Sequence, residues 1–578
     1  MRQLFGISAI VFSLLCSSAS VLNAQESTDS SRSADFSYPL DVQPMSLSGN
    51  YGELRPNHYH GGVDFRIGGV VGAPVYASDS GYVSRISVSA SGYGNCLYLT
   101  HPNGFVTVYG HLNAFEKNIA QYVEQMQYEK ESFSVDLECT PDQFPVKKKQ
   151  RIAFAGNTGA SGGPHLHFEV RDAESNVPLS FMERGYITMD DSTEPNIAPL
   201  RVYGWYSVEG VPQTFEIPAG QDVVQVPEHS YIGINSIDHM EGSYSKFAVM
   251  RYKAYLDNEL FYDYSVGEVP FEQGRYINSI IDYRTRVRKG VNFVKTWVEE
   301  GNALSDHISF TGDGLVTLSD SLVHTVTVEC TDWAGNTASR SVKVQRNDAK
   351  YRSRMNTRPE GIYMNWALDN IFEDANLKLV IPAGSLYSPI FFKYMPEHNI
   401  TLGGKKEKKT IRVYGVHNNE TALHSGATLY IKYNGSEENK SKALIALCSG
   451  GSFRCVGTEV VSLDSLSGDW LKGHIGSFGN YTVVYDTQAP NVNLKLANGA
   501  ALKAASFSFT MGDNLSGIKR YRVEIDGHWV LAQYDLKYAR VTVPLKSARI
   551  KKGIMHECII TVEDNKGNVR TVTRKFRW

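Results

Sequence analysis

Three stretches of this 578-residue chain bring reactive side chains close together: His60-Gly61-Gly62-Val63-Asp64, Tyr109-Gly110-His111-Leu112 and His165-Leu166-His167. In a strand, residues i and i+2 point to one face, so His165 and His167 project together while Leu166 and Phe168 enter a core. Two imidazoles side by side on an apolar strand are costly unless their nitrogens are used, and a metal ion is the commonest user. His60 and Asp64 are four apart, but the intervening glycines argue against a helix and for a bent strand or loop. Zinc catalysis needs three protein ligands and an open fourth position, which two imidazoles and one carboxylate supply. The remaining histidines then have work to do. One can take a proton from an attacking water, and the other can steady an oxyanion or protonate a leaving amine. A lone histidine is more often a satisfied core or surface residue; four with an aspartate in one strand-rich region favour a metal site.

These residues resemble the LytM/lysostaphin-type zinc metalloendopeptidases, which cleave peptide bonds in peptidoglycan. The resemblance rests on H-x-x-x-D at His60 and Asp64, Y-G-H-L at Tyr109–Leu112, and the run from Gly163 to Arg171. Outside these motifs, Gly72-Ala73-Pro74-Val75-Tyr76-Ala77, Gly81-Tyr82-Val83, Gly92-Tyr93-Gly94-Asn95, His101-Pro102-Asn103-Gly104 and Gly156-Asn157-Thr158-Gly159 look like the family's strand pair, hairpin and turn. It covers residues 46–172. It implies one Zn2+ held by His60, Asp64 and His167, with His111 and His165 flanking the reacting water, in a small antiparallel β-sheet with a narrow groove. His58, two residues before His60, is read as a substrate contact, together with Asn57 and Tyr109. Some relatives lose their ligands and only activate other wall hydrolases; all five positions are intact here. The layout of leader, catalytic domain and β-rich tail is similar to secreted proteins of Bacteroidetes-like Gram-negative bacteria.

The surrounding elements are mostly strands. Tyr (33), Phe (25) and Gly (50) are plentiful, which suits β-structure with tight turns. One insertion, at about 116–146, breaks the strand pattern: Ile119, Tyr122, Val123 and Met126 have helical spacing, predicting an amphipathic helix over 118–130. Its stripe either packs on the sheet or walls one side of a cleft. Met1-Arg2-Gln3, an apolar run to Cys16 and a small residue at Ala24 have the layout of a secretory signal peptide. A lipoprotein alternative through Cys16 is weakened by Ser13-Leu14-Leu15. Export follows, without a transmembrane segment in the mature chain, and the resemblance implies the periplasm or cell envelope of a Gram-negative bacterium, outer-membrane associated or secreted. Cys448 and Cys455 flank a turn-like loop and are a candidate disulfide, Cys96 and Cys139 pair or are buried, and Cys330 and Cys558 read as core.

The expected organisation is a signal peptide (1–24), a linker (25–43), the zinc endopeptidase domain (44–188), an immunoglobulin-like β-sandwich (189–348), a β-rich sandwich-like module (349–486) and a second immunoglobulin-like sandwich (487–578). The two sandwiches are related by repeat. Asp238–Gly242, Tyr252 and Leu256–Asn258 recur as Asp513–Gly517, Tyr521 and Ile525–Gly527, and Asp332–Asn336 recurs as Asp564–Asn568. The Asp-x-x-Gly-Asn pieces read as hairpin turns rather than calcium loops, since two short turns do not supply six to eight oxygens. Residues 487–578 carry 16 Lys/Arg against 7 Asp/Glu, a net of +9, either a solvated surface or a patch for anionic wall polymer. A total charge of -3 argues against a nucleic-acid coat. Two function classes remain: a peptidoglycan endopeptidase, with partners limited to the wall and other envelope proteins, or a non-catalytic or gated wall-binding regulator.

Overall fold

Runs of alternating β-branched and aromatic residues build the front sheet. In the computed structural model, which describes residues 34–578 apart from 219, 221, 404–407 and 464–465, they form β1 (Leu47–Gly49), β2 (Leu54–Arg55), β3 (His58–Tyr59), β4 (Val63–Arg66), β5 (Pro74–Tyr76), β6 (Gly81–Val88), β7 (Asn95–Thr100) and β8 (Phe105–Gly110). There follow β9 (Ala114–Phe115), α1 (Lys117–Glu129), β10 (Val135–Glu138), β11 (Pro145–Val146), β12 (Arg151–Phe154) and β13 (His165–Asp172). The leader with Cys16 lies outside the described residues. The main sheet runs β1-β4-β13-β8-β7-β6-β10, with β11 also on β6, and every pairing is antiparallel. A smaller sheet, β5-β12-β9, and the β2-β3 hairpin complete it.

The register fixes the chemistry. β13 pairs with β4 so that His167 lies opposite Asp64, and with β8 so that His167 also lies opposite Gly110. Side chains alternate, so Val63, Phe65, Leu166, Phe168 and Val170 fill the other face, all fully buried. Helix α1 buries Ile119 and Val123 against the sheet and turns Tyr128 towards the last module. There the Tyr128 ring meets Trp529 at 5.1 Å and lies 4.0 Å beneath the Arg549 guanidinium, while Arg522 pairs with Glu131 at 2.6 Å. The insertion is thus a docking post for the tail.

Behind the front sheet stand three two-sheet β-sandwiches. The first packs a five-stranded sheet on a six-stranded one, the second pairs two five-stranded sheets, and the third packs four strands on five. The first and third share one device: a short strand (Val224–Val226, Ala500–Ala501) lies parallel to the closing strand of its module (Thr337–Arg346, Val569–Arg577). The front sheet and the first sandwich share one continuous core running from Phe36 to Tyr351, whereas the other two have their own. Tyr59 and Tyr264, both buried, meet hydroxyl to hydroxyl at 2.9 Å across that join. Among the described residues, no helix is long and apolar enough to cross a membrane.

The register of the hairpin at 443–457 corrects one expectation. Cys448 sits opposite Phe453 and Cys455 opposite Ala446, so the two cysteines are diagonal neighbours. Diagonal Cβ atoms lie about 7–8 Å apart, too far for a disulfide, which needs about 3.5–4.5 Å. Both are free thiols, as are Cys96, Cys139, Cys330 and Cys558, and burial raises the thiol pKa of each.

Candidate metal centre

Four imidazoles from three separate strands or strand ends converge on Asp64. His60 follows β3, Asp64 lies on β4, His111 follows β8, and His165 and His167 open β13. His60 Nε2, His167 Nδ1 and Asp64 Oδ1 form a triangle with edges of 3.0, 2.9 and 3.1 Å. His165 Nε2 lies 3.5 Å from the same carboxylate oxygen. The His111 ring stands 4.8 Å from that of His165 and 5.8 Å from that of His167.

Each ring is locked by its outer nitrogen. His60 Nδ1 donates to Asn50 O at 2.7 Å, and His167 Nε2 donates to Glu169 Oε1 at 2.6 Å. His111 Nδ1 donates to Thr158 O and His165 Nδ1 to Gly163 O, both at 2.8 Å. The other nitrogen of each ring faces the shared space, where it can offer a lone pair to a metal ion. Three acceptor atoms about 3 Å apart demand a cation. A tetrahedral ion with bonds of about 2.0–2.1 Å places its ligand atoms about 3.3 Å apart, close to the observed triangle, and the His2Asp donor set suits zinc. The three residues are buried and so is His111, while His165 beside them is partly exposed.

The electrostatics agree. Burial would pull the His167 imidazole down, but hydrogen bonds to Asp64 and Glu169 and their charges push it up to about 9. A metal competes with that proton for one lone pair. Asp64 is held well below the usual carboxylate range, since His60, His165 and His167 outweigh its burial. Burial lowers His60, and it takes His111 down to about 3 with help from the neighbouring imidazoles, so both stay unprotonated. Behind the triangle, Glu169 takes hydrogen bonds from His167, Tyr93 OH and Arg171 Nε, each at 2.6 Å. Arg171 and His167 hold it down to about 2 against the effect of burial. On the opposite flank Arg55 Nη2 binds the second Asp64 oxygen at 2.7 Å, keeping that carboxylate turned. A groove lined by Ser46, Arg66, Gly162, Gly163, Pro164 and His165 reaches the cluster at His165.

Sequence reasoning passed over Glu169, Arg171, Tyr93 and Arg55. The first two were in reach: the period of two that pairs His165 with His167 continues to Glu169 and Arg171 on the same face. Tyr109 is a correction. One step before Gly110 in β8, it points to the opposite face, is fully buried against Phe168 at 5.3 Å, and its hydroxyl accepts from Ser78 N and Thr107 Oγ1. It is a core residue, turned away from the imidazole cluster. Asn57 and His58 are exposed at the β2-β3 turn; Asn57 Oδ1 accepts from Asn278 of the first sandwich, and His58 Nδ1 donates to Pro56 O.

Comparison with known proteins fits this geometry. Residues 58–128 match the family model for peptidase family M23, and residues 361–486, the second sandwich, match a Zu5-like domain. An uncharacterized metalloprotease of Haemophilus influenzae is 36% identical over 118 residues, 20% of this chain and 19% of that protein. The DD-carboxypeptidase/endopeptidase Mpg of Neisseria meningitidis is 33% identical over 112 residues, 19% of this chain and 20% of that one. A solved zinc-containing peptidase of Vibrio cholerae is 28% identical, covering 26% of this chain and 39% of that one, with a TM-score of 0.19. The chain thus spans about a fifth of the length of the curated relatives it matches. Its front sheet is a peptidase family M23 domain.

Proposed function

We propose that this chain is a zinc-dependent metalloendopeptidase that hydrolyses peptide bonds in the cross-links or stem peptides of bacterial peptidoglycan. The observation that carries this reading is the triangle of His60, Asp64 and His167 with two further imidazoles beside it. His60, Asp64 and His167 would hold the zinc, which when bound supplies a Lewis acid to polarise the scissile carbonyl and acidify a water. His111, kept neutral by burial, offers an acceptor for the proton of the attacking water. His165, anchored through Nδ1, holds its Nε2 where an oxyanion or leaving amine would need a partner. Arg55 and Glu169 orient the ligands from behind. Asn57 and His58 are the proposed outer substrate contacts. The relatives named as peptidoglycan or DD-endopeptidases, together with the leader-like first 24 residues, support a substrate in the cell envelope and export to it.

Purified protein incubated with peptidoglycan should release new amines, and a chelator should stop it. His167→Ala should lose the metal, whereas His111→Ala should keep it and lose turnover. Absence of chelator-sensitive release from intact, zinc-loaded protein would sink the enzyme reading. One contact favours a second reading, a wall-binding regulator with gated turnover: Lys537 of the last sandwich bonds Asn157 O, next to the Thr158 carbonyl that anchors His111. Under that reading Lys537→Ala raises turnover while wall binding stays unchanged.

A further inference from the structure

The repeat holds a second kind of site. In the first sandwich Asp191, Asp238 and Asp332 bring carboxylate oxygens within 4.8 Å of one another, and in the third Asp486, Asp513 and Asp564 do the same. The match extends to single hydrogen bonds. Asp332 Oδ1 accepts from Ala334 N and Asn336 N, its Oδ2 accepts from Asn336 Nδ2, and that amide also reaches Asp191 O at 3.2 Å. Asp564 does likewise with Lys566 N, Asn568 N and Asn568 Nδ2, and the amide reaches Asp486 O at 2.9 Å. Asp191 and Asp486 each precede a Pro-Asn pair at the same spacing, Pro195-Asn196 and Pro490-Asn491. The Asp-x-x-Gly-Asn turns are hairpin turns, as read from the sequence, but each also presents its carboxylate to two others from distant parts of its module.

What these carboxylates lack points to a ligand. Asp238 is 0% exposed, yet beyond the adjacent His239 backbone its carboxylate oxygens have no hydrogen-bond partner, and Asp191 Oδ2 has none. In the third sandwich Asp486 is also 0% exposed, with Oδ1 unpartnered, as is Asp513 Oδ1. Buried carboxylates are hydrogen-bonded, paired, metal-bound or protonated. Glu241, fixed by Ser192 Oγ at 2.5 Å, adds a further negative charge near Asp191.

We propose that Asp191, Asp238 and Asp332 form a calcium site, and that Asp486, Asp513 and Asp564 form its duplicate. An all-oxygen, carboxylate-rich set selects a hard divalent cation. Magnesium keeps several waters and octahedral geometry, which a pocket walled by Asp238 and Asp332 at 0% and 3% exposure does not admit; calcium takes irregular carboxylate and carbonyl cages. The second site is the weaker. Lys566 lies near enough for Asp486 and Asp564 to act on its charge, and Ser516 N already occupies Asp486 Oδ2. Each ion would sit where a module is entered: Asp191 lies between the front sheet and the first sandwich, and Asp486 directly follows the last strand of the second sandwich, Gly479–Tyr485. Calcium would tie each entry segment to two loops of the module behind it.

The test is equilibrium dialysis of the zinc-loaded full chain against radioactive calcium at neutral pH. Two calcium ions per chain are expected at about 1 mM calcium, the range of extracellular modules. Asp238→Asn, an isosteric change, should lose the tighter ion, Asp513→Asn the weaker, and His167→Ala neither. Calcium should also slow proteolysis of wild-type protein at both entry segments. No calcium bound by wild-type protein, retention of the tighter ion by Asp238→Asn, or magnesium binding as well as calcium would each overturn the proposal. A single ion, lost in Asp238→Asn, would support the first site and overturn the duplicate.

Discussion

Changing Glu169 to Gln tests whether the metal triangle is held from behind. Gln keeps the shape but removes the charge, and its single oxygen cannot serve His167 Nε2 and Arg171 Nε together as the carboxylate does at 2.6 Å each. Two separate losses follow. His167 loses a charged acceptor that raises its basicity, and loss of such a partner typically costs about 10–100-fold in metal affinity, or about 1.4–2.7 kcal/mol. Arg171, only 4% exposed, keeps its charge without its partner, and breaking a buried pair costs about 3–5 kcal/mol. Spread over the shared core from Phe36 to Tyr351, at about 2.1 cal/mol/K per residue, that lowers Tm by about 5–8 °C. Competition with a chromophoric chelator measures the first loss, and thermal unfolding of the metal-free chain measures the second. Adding Arg171→Met should recover much of the Tm, because no unpaired charge remains, while zinc affinity stays low. Zinc affinity within twofold of wild type in Glu169→Gln would refute the reasoning.

Other expectations follow from single side chains. Burial, with the Lys393 charge, lowers His417 in the second sandwich to about 4, and Lys393 N donates to its Nδ1 at 3.2 Å. The folded state therefore binds fewer protons than the unfolded state, so stability present above about pH 6.5 is lost towards pH 4, by about 3 kcal/mol. Urea unfolding across that window should show a shallower pH slope in His417→Gln; equal slopes would rule the effect out. Tyr109→Phe should cost about 1 kcal/mol by leaving Ser78 N without its acceptor, yet leave kcat/KM unchanged, and a fall in kcat/KM at full stability would restore Tyr109 to the site. Tyr128→Ala removes the ring between Trp529 and Arg549, so limited proteolysis should free the last sandwich while zinc content is unaffected; an unchanged digestion pattern would contradict the docking role of α1.

Period-two spacing alone placed His165 and His167 on one face, and followed two steps further it reaches Glu169 and Arg171. The same rule explains the error at Tyr109, whose nearness to His111 in sequence hides the switch of face between neighbours. The apolar spacing from Ile119 to Met126 reads as a helix, but nothing local shows that Tyr128 faces Trp529, some 400 residues away in sequence. Arg55 carried no signal, because its partner Asp64 is reached only once the β2-β3 hairpin folds back. Likewise, the turn motifs at Asp332 and Asp564 were visible, while Asp191 and Asp486 join them only through tertiary structure. Cys448 and Cys455 had a plausible spacing, and a register offset of two residues kept them apart.

The core running unbroken from Phe36 to Tyr351 has a consequence for how this protein can be cut or inherited. Position 188 separates two patterns of sequence, but the join there is made of interior side chains such as Tyr59 and Tyr264. A fragment ending at 188 would expose a raw hydrophobic face and should aggregate, whereas one ending near 356 keeps that interior whole. Recombination would meet the same constraint: the peptidase sheet and the first sandwich must be exchanged as one piece, while the last two sandwiches, each with its own interior, are free to be swapped or lost.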